Sequence, residues 1–146
     1  DLCGPMEVKS VGKSCYLLTL IDDHSRYVSV YFLAQKSEVF QCFKDFKAEV
    51  ACQLGRKIMK FRSDQGTEYV NGAMRKYFAE SGIRHQTTVR YSPSQNGVAE
   101  RMNRTLIEKA RTMLFDAGLE KKYWAEAVAT AAYLVNRSPS RILEGK

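Results

Sequence analysis

Two carboxylates, Asp64 and Glu100, sit in stretches of polar, small and basic residues, and a third acid, Asp1, opens the chain. Asp64 lies in Lys60-Phe61-Arg62-Ser63-Asp64-Gln65-Gly66-Thr67-Glu68-Tyr69. Glu100 lies in Tyr91-Ser92-Pro93-Ser94-Gln95-Asn96-Gly97-Val98-Ala99-Glu100-Arg101-Met102-Asn103-Arg104. Brought together, three carboxylates offer the hard oxygen ligands that magnesium takes, with water and substrate phosphate completing the shell. Two such ions roughly 3.5–4 Å apart activate a nucleophile and stabilise the leaving oxygen of an in-line displacement. Because the surrounding charge is basic, the chemistry indicated is metal-dependent reaction at a phosphodiester. Plainer readings stand beside this one. Taken alone, Asp64 fits a turn aspartate better than a metal ligand. Asp22-Asp23 is assigned to a turn, and Glu68 is a spare carboxylate beside Asp64.

Charge supports a polyanionic partner without proving one. The 146 residues carry a net charge of +7, and a basic balance favours nucleic acid. Between Arg84 and Arg111 there are six basic residues (Arg84, Arg90, Arg101, Arg104, Lys109 and Arg111) against Glu100 and Glu108. Beside carboxylates, such a cluster fits contact with a phosphate backbone. It also fits a solvated helix face with pairs such as Glu100–Arg104. Tyr91 and Asn96 fit either nucleic-acid contact or an ordinary loop. Four cysteines (Cys3, Cys15, Cys42 and Cys52) and two histidines lack zinc-ligand spacing, and read as packed, reduced thiols. No apolar run approaches a membrane span.

These residues need elements to position them. Ser14–Ile21 is a short apolar run that reads as a strand buried on both faces, and Tyr27–Leu33 as its returning partner across Asp22-Asp23-His24-Ser25. Asp1–Cys3 reads as the end of a strand closed by Gly4-Pro5. Ser37–Leu54 has helical spacing, with Ser37 as N-cap and Gly55 as stop. Lys57–Ser63 reads as a strand, Asn71–Ser81 as a helix capped by Asn71 and ended by Gly82, and Ile83–Val89 as a strand. A loop follows over Tyr91–Gly97. The helix Val98–Ala117 turns Met102, Leu106, Ala110 and Met113 to the core, and Glu100, Asn103, Arg104, Glu108 and Arg111 outward. A last helix spans Lys122–Val135. The order predicts an α/β fold, a mixed five-stranded sheet flanked by helices, with sites at strand ends. Residues 1–135 are expected to be the domain, entered within its first strand, and 136–146 the start of a C-terminal linker.

Four strings carry a specific resemblance: Asp1-Leu2-Cys3-Gly4-Pro5; Leu20-Ile21-Asp22-Asp23-His24-Ser25-Arg26-Tyr27; Arg62-Ser63-Asp64-Gln65-Gly66-Thr67-Glu68; and Ser92 through Thr105. With Tyr123-Trp124-Ala125-Glu126-Ala127 and Asn136-Arg137-Ser138-Pro139, they resemble, in order, the integrase catalytic core of copia-type LTR retrotransposons. The resemblance implies a ribonuclease-H-like fold and a polynucleotidyl transferase whose acids, Asp1, Asp64 and Glu100, bind two Mg²⁺ or Mn²⁺ ions. It implies joining of element DNA 3′ ends to target DNA. Asn96, Asn103 and Arg104 match positions near the metal site or in contact with DNA in related integrases, and Arg101, Arg90 and Lys109 extend that basic surface. A homodimer or larger assembly is implied, acting in the nucleus after transport in a cytoplasmic particle. Two other readings stay open: another ribonuclease-H-like nuclease, and a non-catalytic DNA-binding module derived from an integrase.

Overall fold

The computed structural model describes residues 1–89, 92 and 96–141. In chain order its elements are β1 (Leu2–Cys3), β2 (Tyr16–Ile21), β3 (Val28–Leu33), α1 (Val39–Leu54), β4 (Lys60–Ser63), α2 (Gly72–Ser81), β5 (Arg84–Thr87), α3 (Gly97–Ala117) and α4 (Trp124–Asn136). They form two compact units, Asp1–Gln35 with Val98–Lys146, and Lys36–Gly97.

In the first unit, β1, β2 and β3 form an antiparallel sheet in that order. Leu18 faces Leu2 across one ladder and Tyr31 across the other. Leu17, Leu18, Thr19 and Leu20 are all buried, as expected of a strand covered on both faces. Beyond β1 the chain turns through Gly4, whose φ is +132°. A Cβ there would stand 2.8 Å from the Cys15 carbonyl oxygen, so only glycine fits this close approach. The core gathers Leu17 and Val28 from the sheet, Leu106 and Ala110 from α3, and Trp124, Val128 and Ala131 from α4. The small residues of α4 let it lie close on β3, where Phe32 and Trp124 meet edge to face at 5.6 Å. Trp124 Nε1 donates to the Val8 carbonyl at 2.9 Å. Asn136, read from sequence as the first linker residue, closes α4 instead. Its side-chain amide bonds both the amide and the carbonyl of Val28, at 2.9 and 2.8 Å.

In the second unit, β4 and β5 pair in parallel, with Phe61 opposite His85 and Ser63 opposite Thr87. Phe43, Phe61, Tyr69, Phe78 and His85 form a ring cluster, with Phe43 and Phe61 centroids 4.8 Å apart. Asn71 caps α2 by accepting from the Met74 amide at 2.9 Å, and Gly82 closes the helix with φ +67°.

Two expectations need correction. The five strands form two hydrogen-bonded sheets, three antiparallel and two parallel, rather than one mixed ladder among the described residues. β1, which follows Asp1, has only two residues in regular pairing, both with β2, which is little edge from which to extend a sheet. Ser37 is not the cap of α1: a 3-10 turn over Lys36–Glu38 precedes the helix, whose N-cap position falls on Glu38. The loop over Tyr91–Gly97 lies largely outside the described residues.

Candidate active site

Asp1 is held by the strand beside it and by α3. Its backbone nitrogen donates to the Thr19 carbonyl at 2.7 Å, and the Thr19 amide donates back to the Asp1 carbonyl at 2.8 Å. The Asp1 carboxylate accepts from the Leu2 amide at 3.0 Å through Oδ1 and from Asn103 Nδ2 at 3.0 Å through Oδ2. Asn103 Oδ1 in turn accepts from Thr19 Oγ1 at 2.8 Å. This order fixes the Asn103 amide: its nitrogen faces the acid and its oxygen faces the hydroxyl. Thr19 and Asn103 are both buried, at 1% and 6% exposure, so the network is satisfied where an unpaired group would be costly.

Asn103 therefore departs from its expected place. It is not on the outward face with Glu100 but is buried against Asp1 and Thr19, as a support for the acid rather than an exposed DNA contact. Glu100 and Arg104 are exposed, and their expected i,i+4 ion pair is not formed among the described residues. Arg101 and Lys109 are exposed too, and Asn96 is half-buried in a bend before α3. Arg90 and Tyr91 lie outside the described residues. In the same unit, a cavity of about 270 Å³ opens between Met6–Val8 and the helices, against Ile107, Leu114 and Trp124. It includes neither Asp1 nor Glu100.

Asp64 ends β4 and begins a tight turn. Its Oδ1 accepts from the Gly66 amide at 2.8 Å, the Asx geometry that the plainer reading expected. That bond leaves Oδ2 with no partner among the described residues. The two readings are thus compatible: the turn fixes one carboxylate oxygen and presents the other. Glu68 folds over Gly66, its carboxylate 2.6 Å from where a Cβ would stand. Behind the turn, Ser63 Oγ lies 2.8 Å from the Asp64 carbonyl oxygen and 2.7 Å from His85 Nε2. Burial lowers the pKa of His85. Sequence reasoning passed over Ser63 and His85, although parallel strand ends bring neighbouring side chains together.

Tyr69 was also missed. It is 2% exposed, and its hydroxyl has no hydrogen-bond partner among the described residues. Burial, then the negative charges of Asp64 and Glu68, hold its phenol well above the ordinary tyrosine pKa. Its ionisation is thereby suppressed.

The donor set is hard oxygen, the chemistry that suits magnesium or manganese. Among the described residues, no group of three or more His, Cys, Asp or Glu side chains is gathered into a metal site. The four cysteines are free thiols, three half-buried and Cys52 exposed, so the expectation of packed thiols fails at Cys52. No helix among the described residues is long and apolar enough to cross a membrane.

Comparison with known proteins now adds to this geometry. The Integrase core domain family matches residues 1–93. The retrovirus-related Pol polyprotein from transposon TNT 1-94 of Nicotiana tabacum is 53% identical over 96% of this chain and 10% of its own length. That from transposon RE1 of Arabidopsis thaliana is 38% identical over 88% of this chain and 9% of its own. The chain thus spans about a tenth of these relatives. Among solved structures, the HTLV-2 integrase catalytic core domain in complex with magnesium aligns with a TM-score of 0.68 at 20% identity, covering 100% of this chain and 88% of that one. A simian T-cell lymphotropic virus intasome in complex with PP2A regulatory subunit B56 gamma aligns at 0.71 and 22%, covering 95% of this chain and 47% of that one. At these identities the likeness establishes the fold, the ribonuclease-H-like fold of retroviral integrase catalytic cores.

Proposed function

This chain belongs to the integrase core domain family of retrotransposon Pol polyproteins, and from that premise we propose that it is a catalytic core joining element DNA 3′ ends to target DNA. The observation that carries the proposal is the bond from Asn103 to Asp1. It ties the acid at the start of β1 to the first turns of α3, three residues beyond Glu100. The same bond places the Asp1 carboxylate and Glu100 within one turn of each other along α3.

In this reading Asp1, Asp64 and Glu100 are the catalytic acids and would hold two Mg²⁺ or Mn²⁺ ions. When bound, the metal lowers the pKa of the attacking hydroxyl or water and neutralises charge on the leaving oxygen. Asn103 and the Leu2 amide hold the Asp1 carboxylate in one orientation, and the Gly66 amide does the same for Asp64. The 3′-hydroxyl oxygen attacks a target phosphorus, the target's own P–O3′ bond breaks, and the phosphodiester count is unchanged. Water in place of the hydroxyl gives cleavage. Arg101 and Arg104 are exposed in the first turns of α3 and suited to contact phosphate, Asn96 is added by the resemblance, and Arg90 and Lys109 extend the surrounding positive charge. We extend the proposal to an assembly of copies acting in the nucleus after transport in a cytoplasmic particle. The intasome among the structural relatives supports the assembly.

A Mn²⁺- or Mg²⁺-dependent joining and cleavage assay on branched and blunt DNA, run on the native chain and Glu100→Gln, tests the proposal. Metal-dependent joining by the native chain, absent from the variant while DNA binding persists, is the expected result. Cutting without joining would indicate a nuclease. DNA binding with no metal-dependent reaction in the native chain would indicate a binding module.

A further inference from the structure

Ser63 Oγ sits within hydrogen-bond distance of two groups, the Asp64 carbonyl oxygen at 2.8 Å and His85 Nε2 at 2.7 Å. A serine hydroxyl has one proton to give. A carbonyl only accepts, so the bond to Asp64 takes that proton. The contact with His85 is then a hydrogen bond only if Nε2 carries a proton and donates to Ser63 Oγ. Both contacts are satisfied in one arrangement alone: His85 Nε2–H to Ser63 Oγ, and Ser63 Oγ–H to Asp64 C=O.

We propose that His85 and Ser63 are positioning residues for Asp64, forming a directed hydrogen-bond relay that fixes the backbone from which the Asp64 carboxylate is presented. The relay is anchored at both ends. His85 packs its ring against Phe61 and Phe78, with centroids 5.6 and 4.9 Å away. Ser63 is 5% exposed, and its carbonyl accepts from the Thr88 amide at 3.0 Å. Beyond Asp64 the chain turns at once, held by the bond from the Gly66 amide to Asp64 Oδ1. The acid is thus clamped on its backbone from behind and on its side chain from in front. Groups that orient a metal-ligating carboxylate typically change metal affinity or activity by about 10–100-fold when lost.

The purpose assigned to the relay rests on the reading of Asp64 as a metal ligand, so the test separates the two. The first measurement is the His85 tautomer by ¹⁵N NMR of the native chain. A proton on Nε2 and a bare Nδ1 are expected, whereas a neutral ring protonated on Nδ1 overturns the relay whatever Asp64 does. The second compares Gly66 amide exchange and Mn²⁺ affinity in the native chain, His85→Phe, His85→Gln and Ser63→Ala. Phenylalanine keeps a ring in the cluster but removes the donor, and glutamine restores an N–H. His85→Phe and Ser63→Ala are expected to speed Gly66 exchange and weaken Mn²⁺ binding about tenfold, with His85→Gln recovering most of both. Native-like exchange and affinity in folded His85→Phe and Ser63→Ala overturn the proposal. Asp64→Asn is the control. If it leaves Mn²⁺ affinity unchanged, the metal reading of Asp64 falls, and the tautomer and the exchange rates still decide whether the relay exists.

Discussion

Asn103 shows how one residue can be read onto the wrong face of a helix. It lies three residues beyond Glu100, and that spacing alone groups it with the acid. At about 100° per residue, however, it lies about 20° from Ala110 around α3, on the core arc. Arg104 lies about 40° to the other side of Glu100 and stays in solvent. The helical period therefore held the signal, and a polar residue within an apolar arc is the informative observation. Its role follows from burial. Asn103→Leu removes the acceptor for the Thr19 hydroxyl and a donor to Asp1, leaving Thr19 only the Asp1 carbonyl at 3.3 Å. A loss of about 1–3 kcal/mol is expected, read from the urea midpoint at unchanged slope. Adding Thr19→Val should recover part of it, because removing both partners leaves no hydroxyl unsatisfied. A double variant no better than Asn103→Leu would place the cost elsewhere.

At the scale of elements, local chemistry was legible and pairing was not. Asn71 and Gly82 bound α2 as read, because a cap depends only on residues within a turn of it. The β2–β3 hairpin was legible for the same reason, and Asp22 shows the physics. Its Oδ2 accepts from the Ser25 amide at 2.7 Å and the Ser25 hydroxyl at 2.6 Å. The Ser25 hydroxyl is the main cause of a pKa held below the ordinary aspartate value, outweighing partial burial. A carboxyl with a lowered folded-state pKa binds fewer protons folded than unfolded, so its stabilising contribution is present above the unfolded pKa. That contribution is lost as pH falls through the folded value. The stability gap between the native chain and Asp22→Ala is expected to be constant near neutral pH and to close from about pH 4 downward. A gap that widens on acidification would contradict this assignment. The two-sheet arrangement was not legible, because strand propensity says which segments extend but not how far each ladder continues. Ser63 and His85 were missed for a related reason: they meet only once β4 and β5 are paired.

For the whole molecule, composition said that the chain is basic and left open whether the charge is a binding surface. The structure narrows this through the disposition of α3. Arg104 is exposed, without an ion-pair partner among the described residues, and beside Glu100 on the helix. Lys109, although exposed, lies about 180° from Glu100 around the same helix. If the reaction site faces DNA from the Glu100 side, these two cations differ in what they contribute. Each phosphate contact releases condensed counterions, so the logarithm of the binding constant falls with the logarithm of salt by about 0.9 per contact on duplex DNA. Arg104→Ala is expected to lower that slope by about one contact and to weaken binding to different sequences alike. Lys109→Ala should leave the slope nearly unchanged. Fluorescence anisotropy of labelled duplex across a salt series gives both slopes. Equal reductions would mean that DNA is held by the general field of a chain carrying +7 rather than along one helix face. A reduction at Lys109 alone would put the DNA on the opposite side of α3 and remove Glu100 from contact with the scissile phosphate.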